Sequence, residues 1–269
     1  VRIDLAYFSS TGNTRLLAEH AREWLSGRGI RAELHEAVTA EPAAIDGGLP
    51  IVLYPVWGSD MPGPLQDLLG RLKPSTGKAK IALIGNCGVF TGDTGIHWRR
   101  ILHRRGWEVI YVDHVRMPIN INVPGFNLWP APRPAERERI VAAGRRKLER
   151  ILSGILAGER RFTGRGLLDR LGGWSQRAFY EPAVKLWRES FAVDAGRCVR
   201  CGLCARMCPT GNITVDEAGV RFGSDCLVCT RCYNLCPENA VLIGPASRDT
   251  GRYNRYKGPG DGRRPQLYR

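Results

Sequence analysis

Two stretches of the chain are dense in cysteine: CVRCGLCARMCP at 198–209 and CLVCTRCYNLCP at 226–237. Both read C-x2-C-x2-C-x3-C-P, and Cys198 maps onto Cys226 with a period of 28 residues. At this spacing three thiolates of a run reach one [4Fe-4S] cubane, and the fourth cysteine ligates the cluster of the other run. One cluster is then expected on Cys198, Cys201, Cys204 and Cys236, and a second on Cys226, Cys229, Cys232 and Cys208. The proline after each fourth cysteine ends the local turn. Structural zinc usually takes paired C-x2-C knuckles, and a third cysteine three residues on crowds a tetrahedral site. Disulfides would suit a small secreted domain better than this local density.

The elements that position a second kind of chemistry lie in the first half. RIDLAYF (2–8) is apolar and strand-like, runs into SSTGNT (9–14), and is followed by a stretch with Leu16, Leu17, Ala21, Trp24 and Leu25 at helical spacing. A hydroxyl-rich loop between a strand and a helix N-terminus offers free N–H groups, a partial positive charge and hydroxyl donors to an anion. It lacks the G-x4-G-K-[ST] and G-x-G-x-x-G patterns, so a single phosphate monoester suits it best. A capped helix start is the bland alternative. LPIVLYPVWG (49–58), KAKIALIGNCG (78–88) and WEVIYVDHV (107–115) read as further strands, separated by helical stretches near 63–72 and 93–105. Such alternation implies a doubly wound parallel sheet of α/β class, with ligands beyond the carboxyl ends of the strands. The loops there carry Pro55, Val56, Trp57 and Gly58, and then Asn86, Cys87, Gly88, Phe90, Gly92 and Asp93. An aromatic on one loop and glycines on another can sandwich a flat ring; for Trp57 ordinary packing is the alternative.

FSSTGNT resembles the phosphate loop of flavodoxins, and YPVWGSDMPGPL resembles their aromatic loop over the flavin ring. With the cysteine runs behind them, the chain resembles the flavodoxin–ferredoxin fusion proteins of anaerobes and archaea. The resemblance implies a flavodoxin-like five-stranded parallel sheet followed by a small α+β two-cluster domain. It also implies FMN, with its phosphate on Ser9, Ser10, Thr11, Gly12, Asn13 and Thr14 and its ring between Trp57 and the 86–93 loop. The expected organisation is an FMN-binding domain at 1–158, an amphipathic helical linker at 159–193, a two-[4Fe-4S] domain at 194–244 and a basic tail at 245–269. One departure is the charge, since flavodoxins are typically acidic.

The formal net charge is +14 over 269 residues. Eight thiolates around two cubanes and a flavin phosphate would bring it to about +8. No nucleic-acid motif accompanies the basic residues, so nucleic acid is not an expected partner. No run of 18 apolar residues and no signal-peptide pattern opens the chain, and the cysteine usage fits a reducing compartment, so a cytoplasmic location is expected. The segment MPININVPGFNLWPAPRP (117–134) has five prolines; Asn120 and Asn122 either line the flavin pocket or belong to a loop along the sheet edge. Residues 134–158 read as the last helix of the first domain, with Ile140, Leu148, Ile151, Leu152 and Ile155 apolar. Within 160–193, Leu167, Leu171, Trp174 and Ala178 follow helical spacing, and Val184, Trp187 and Phe191 resume it after Pro182. Two short packed helices, a contact with a second copy, and a peripheral membrane or lipid-substrate contact all fit that pattern. The Gly- and Arg-rich tail is expected to be mobile.

Two functions follow. The first is electron transfer between the clusters and FMN, to or from a soluble ferredoxin or a reductase. The second is an FMN-dependent reductase acting on a quinone or polyprenyl lipid. Cys87 is left over from the cluster runs and is expected as a free thiol near the flavin or in plain packing.

Overall fold

The computed structural model describes residues 2–45, 47–74, 79–260 and 266–268. Lys78 and the tail residues 261–265 and 269 lie outside the described residues. By their internal contacts the described residues form two compact units. The first comprises residues up to Ser9, Asn13–Met117 and Arg139–Ala178; the second comprises Ser10–Gly12, Pro118–Glu138 and Phe179 onward. These divisions do not follow the breaks expected at 158, 193 and 244.

The first unit is built on β1 (Arg2–Tyr7), β2 (Arg31–Glu36), β3 (Leu49–Pro55), β4 (Ala79–Cys87), β5 (Trp107–Arg116) and β6 (Arg161–Phe162). All pair in parallel in the order β2-β1-β3-β4-β5-β6. The first five strands have the doubly wound order 2-1-3-4-5. The expected count of five is corrected to six by β6, a two-residue edge strand beside Tyr111 and Val112. The central strands are nearly continuous apolar runs because helices cover both faces. Those helices are α1 (Asn13–Ser26), α2 (Gly63–Arg71), α3 (Thr94–Arg104) and the body of α4 (Pro134–Leu156). Leu16, Leu17, Leu148, Ile151 and Leu152 pack with Ile3, Leu5, Ile51, Leu53 and Ile84 in one core.

The interval read as an amphipathic helical linker, with two short packed helices as one alternative, contains one helix, α5 (Leu167–Glu189), with Pro182 inside it. The apolar side chains of its first half do not face inward, whereas Val184 is buried and Trp187 packs partly buried against the core of the second unit. Leu167, Leu168, Leu171 and Trp174 are 69, 82, 56 and 67 % exposed. The inward face is made instead by Gly172, Gly173 and Arg177.

The second unit contains β7 (Phe191–Val193), α6 (Leu203–Arg206), β8 (Ile213–Asp216), β9 (Gly219–Phe222), α7 (Arg231–Leu235) and β10 (Val241–Ile243). β7 pairs antiparallel with β10, and β8 with β9. A shift of 28 residues carries β7 onto β9, β8 onto β10 and α6 into α7, so the sequence repeat is a structural one. Met207, Ile213, Tyr233, Val241 and Ile243 form its core with Val123. The tail, expected to be mobile, is packed as far as residue 260: Tyr253 and Tyr256 are buried, and Tyr256 N–H donates to Asn234 Oδ1 at 2.9 Å. Its aromatic residues supply apolar area that its glycines and arginines hide in a compositional reading. Among the described residues no helix is long and apolar enough to cross a membrane.

Candidate iron–sulfur and flavin sites

Each cysteine run folds as a chain of tight turns. Arg200 and Val228 take positive φ (53° and 51°), as do Gly202 and Thr230 (71° and 56°) and Gly211 and Asn239 (64° and 50°). Each pair is related by 28 residues, so both copies use the same left-handed positions, and non-glycine residues occupy four of the six at a conformational cost. These turns aim sulfur atoms inward and backbone N–H groups at sulfur. Asn212 N–H reaches Cys208 Sγ at 3.3 Å and its repeat mate Ala240 N–H reaches Cys236 Sγ at 3.3 Å. Val228 N–H reaches Cys226 Sγ at 3.4 Å. Such bonds favour a thiolate over a thiol.

The eight cysteines line two cavities. One is bounded by Cys198, Cys201, Cys204 and Cys236, the other by Cys208, Cys226, Cys229 and Cys232. In each, three residues come from one run and the fourth from the other. Among the described residues, no three cysteine sulfurs lie within 4.8 Å of one another. Burial pushes the Cys226 thiol up to about 11 and raises those of Cys204, Cys229 and Cys232; the Arg231 charge opposes this at Cys229. Metal ligation must therefore expel protons from these sulfurs.

In the first unit, the loops after β3 and β4 lie at the carboxyl ends of adjacent parallel strands. Trp57 and Asp60 exchange backbone hydrogen bonds (2.9 and 2.8 Å), and Gly58 and Ser59 both take positive φ, which makes a two-residue type I′ turn. Trp57 stands edge-on to Phe8, ring centres 5.6 Å apart, and is partly exposed. Asn86 is buried and donates through Nδ2 to Thr14 Oγ1 (2.8 Å) and to the Tyr54 carbonyl (3.0 Å), which joins the β4 loop to the start of α1. Cys87 is a free thiol, and burial raises it to about 11, so it is uncharged at neutral pH. Phe90 is 39 % exposed. Asp93 is buried and accepts from Arg177 Nη1 at 2.8 Å, while the same nitrogen donates to the Ser59 carbonyl at 2.9 Å. Ser59 Oγ donates to Gln176 Oε1 at 2.6 Å. A Cβ on Gly173 would stand 3.0 Å from the Asp93 nitrogen, so the glycine permits this approach. The sequence reading missed this clamp. Its signal is the Gly172–Gly173 pair followed by Gln176 and Arg177, one helical turn on.

Ser9 is buried at the end of β1, and Asn13 and Thr14 open α1. Ser10, Thr11 and Gly12 make their contacts within the second unit. Asn120 Nδ2 donates to Thr11 Oγ1 (2.8 Å) and Ser10 Oγ (3.4 Å). Arg231 Nε donates to the Ser10 carbonyl at 2.7 Å. Gly12 has φ of 107°, and a Cβ there would stand 3.0 Å from Pro259 Cδ. Asn122, the other linker asparagine, donates to Asn254 Oδ1 (2.7 Å) and the Arg252 carbonyl (3.2 Å). It is a structural tie rather than a pocket residue. The hydroxyls of Ser10 and Thr11 beside the positive-φ Gly12, without a lysine, have the chemistry to suit a phosphate monoester.

Fold and site together define a doubly wound α/β unit of flavodoxin-like topology fused to a ferredoxin-type iron–sulfur domain. Residues 191–214 match the 4Fe-4S binding domain family. An uncharacterized ferredoxin of Methanocaldococcus jannaschii is 41 % identical over 56 residues, which is 19 % of this chain and 73 % of that protein. Over that segment the chain belongs to the ferredoxin family. The RNA polymerase subunit Rpo3 of Methanosarcina mazei is 42 % identical over 50 residues, 17 % of this chain, and the chain spans only 19 % of that subunit's length. Among solved structures, a flavodoxin from the domain Archaea (13 % identity, 56 % of this chain and 99 % of that one, TM-score 0.37) is similar. So is oxidised flavodoxin 2 from Bacillus cereus (17 %, 57 % and 99 %, TM-score 0.41).

Proposed function

We propose that the chain is an electron carrier that links a redox partner protein to an FMN through two [4Fe-4S] clusters. The observation that carries this reading is the pair of four-cysteine cavities, each completed by the other run, in one chain with a 2-1-3-4-5 sheet. Clusters supply single-electron steps, and a flavin joins these to two-electron chemistry. Cys198, Cys201, Cys204 and Cys236 would hold one cluster, and Cys208, Cys226, Cys229 and Cys232 the other. Ser9 to Thr14 would hold the FMN phosphate, with the ring against Trp57 and the 86–93 loop. A soluble ferredoxin and a reductase are the partner classes that fit.

A second reading rests on one observation: Val89 and Phe90, on the ring loop, are 55 and 39 % exposed. An apolar edge there suits a reductase that takes a quinone or polyprenyl lipid at the flavin. One experiment tests both. Anaerobically prepared protein should contain about eight iron and one FMN per chain. The reduced protein is then mixed with redox proteins or with dispersed quinone, and flavin reoxidation is followed by absorbance. Fast reoxidation by proteins alone supports the carrier, and reoxidation by quinone alone supports the reductase. Zinc in place of iron would overturn the cluster assignment.

A further inference from the structure

The 28-residue repeat is broken at several positions that line the cluster cavities, Gly202/Thr230, Glu238/Thr210 and Ala240/Asn212 among them, and at one of these positions an apolar side chain is exchanged for a cation. Leu203, the second residue after Cys201, lines the cavity of Cys198, Cys201, Cys204 and Cys236. Its repeat mate is Arg231, the second residue after Cys229, which lines the cavity of Cys208, Cys226, Cys229 and Cys232. Arg231 is 2 % exposed, whereas the arginine at the first cavity, Arg200, is exposed and reaches the Glu217 carbonyl at 3.1 Å. The partners of the Arg231 guanidinium include acceptors on separate stretches of chain. Nε reaches the Ser10 carbonyl at 2.7 Å, Nη1 the Met207 carbonyl at 3.0 Å and Nη2 Tyr268 Oη at 3.1 Å.

We propose that Arg231 sets the two clusters apart in potential and holds the Ser10–Gly12 loop in place. The loop half of this proposal rests on the flavin reading above; the cluster half does not. Reduction of a cluster adds one negative charge to its cavity. A guanidinium keeps its positive charge at any working pH, and a buried one is little screened by water or salt. The reduced form is then favoured at the Arg231 cavity, and its cluster has the higher midpoint potential. At the other cavity the equivalent side chain is apolar; of the cations near its cysteines, Arg200, Arg206 (on the Cys201 carbonyl) and Lys257 (on the Cys236 carbonyl) are exposed, and Arg255 is half-buried, whereas Arg231 is buried. The second role depends on shape rather than charge. The planar fork of an arginine can serve three divergent acceptors, and an ammonium cannot reach them all.

The test uses the reconstituted holoprotein, with midpoints from EPR-monitored redox titration and FMN affinity from fluorescence quenching. Wild type should show two separated cluster midpoints. Arg231→Leu, which copies the first repeat, should lower the higher midpoint and bring the two together. Leu203→Arg should raise the lower one, and it decides the cluster half if Arg231→Leu assembles poorly. Arg231→Lys keeps the charge but not the fork. It should leave the midpoints separated and weaken FMN binding about tenfold, the loss of roughly one charge-assisted hydrogen bond. Unmoved midpoints in Leu203→Arg and in iron-replete Arg231→Leu would overturn the cluster half. Unchanged FMN affinity in Arg231→Lys would overturn the loop half. A wild-type protein that binds no FMN would instead remove the flavin reading and leave the potentials to stand alone.

Discussion

At the scale of single residues, the cysteines are placed by backbone torsions that their neighbours tolerate at a cost. Val228 is the clearest case. A β-branched residue at a φ of 51° is strained, and it occurs where the chain must turn between Cys226 and Cys229. Because the cavities interlock the runs, each run's last cysteine serves the opposite cavity. Cys208→Ala should therefore disturb the cluster of Cys226, Cys229 and Cys232, and Cys236→Ala that of Cys198, Cys201 and Cys204. Iron analysis with EPR on the two variants checks this; loss of only the own-run cluster in each would contradict it. Cys87→Ala should leave the iron content unchanged, since that thiol lies in neither cavity.

At the scale of elements, α5 holds the turn at Ser59 and the loop at Asp93 through Arg177. Asp93 is buried, so removal of its cation leaves a charge without compensation. Arg177→Ala should destabilise the first unit by about 3 kcal/mol, read as a lower thermal midpoint. The double variant with Asp93→Asn should recover part of the loss, as expected for coupled neighbours. This helix was also the hardest to read. Its leucines and Trp174 keep helical spacing, and apolar spacing is ordinarily the signal of an inward face. Here glycines make the inward contact, because only a face without side chains lets the helix approach the loop backbone so closely. The central strands β1, β3, β4 and β5 were legible from apolar runs bounded by Gly, Pro and Asn. β2, with the sequence RAELHE, was not, since an edge strand needs little apolar content. Nor was β6, whose two residues carry no pattern. The cysteine runs were legible residue by residue, because metal ligation constrains type and spacing together. Arg231 stands out only when the 28-residue repeat is followed beyond the cysteines, where it is the mate of Leu203 and the burial of the two can be compared.

At the scale of the whole molecule, the issue is whether the flavodoxin-like half stands in the electron path. The loop at 9–14 is the place to test it, because its residues have no part in either cysteine cavity. Thr11 is buried, and its hydroxyl accepts from Asn120 Nδ2 at 2.8 Å, which leaves the hydroxyl proton to point elsewhere. A phosphate dianion is an acceptor for that proton. Hydrogen bonds to a charged group contribute about 1.5–3 kcal/mol each, so Thr11→Ala should weaken FMN binding by roughly ten- to a hundredfold. Asn120 retains Ser10 Oγ as an acceptor and its own carbonyl still receives Asn234 Nδ2 at 2.8 Å, so the second unit should keep its packing. Iron content should stay at the wild-type value and dithionite should still bleach the clusters. Reduction of the partner protein should fail at limiting FMN and return when FMN is added in excess. FMN affinity, iron content and partner reduction are to be measured on one preparation of the variant. Full partner reduction with an empty flavin site would mean that the clusters serve the partner alone, and that the doubly wound half has another task.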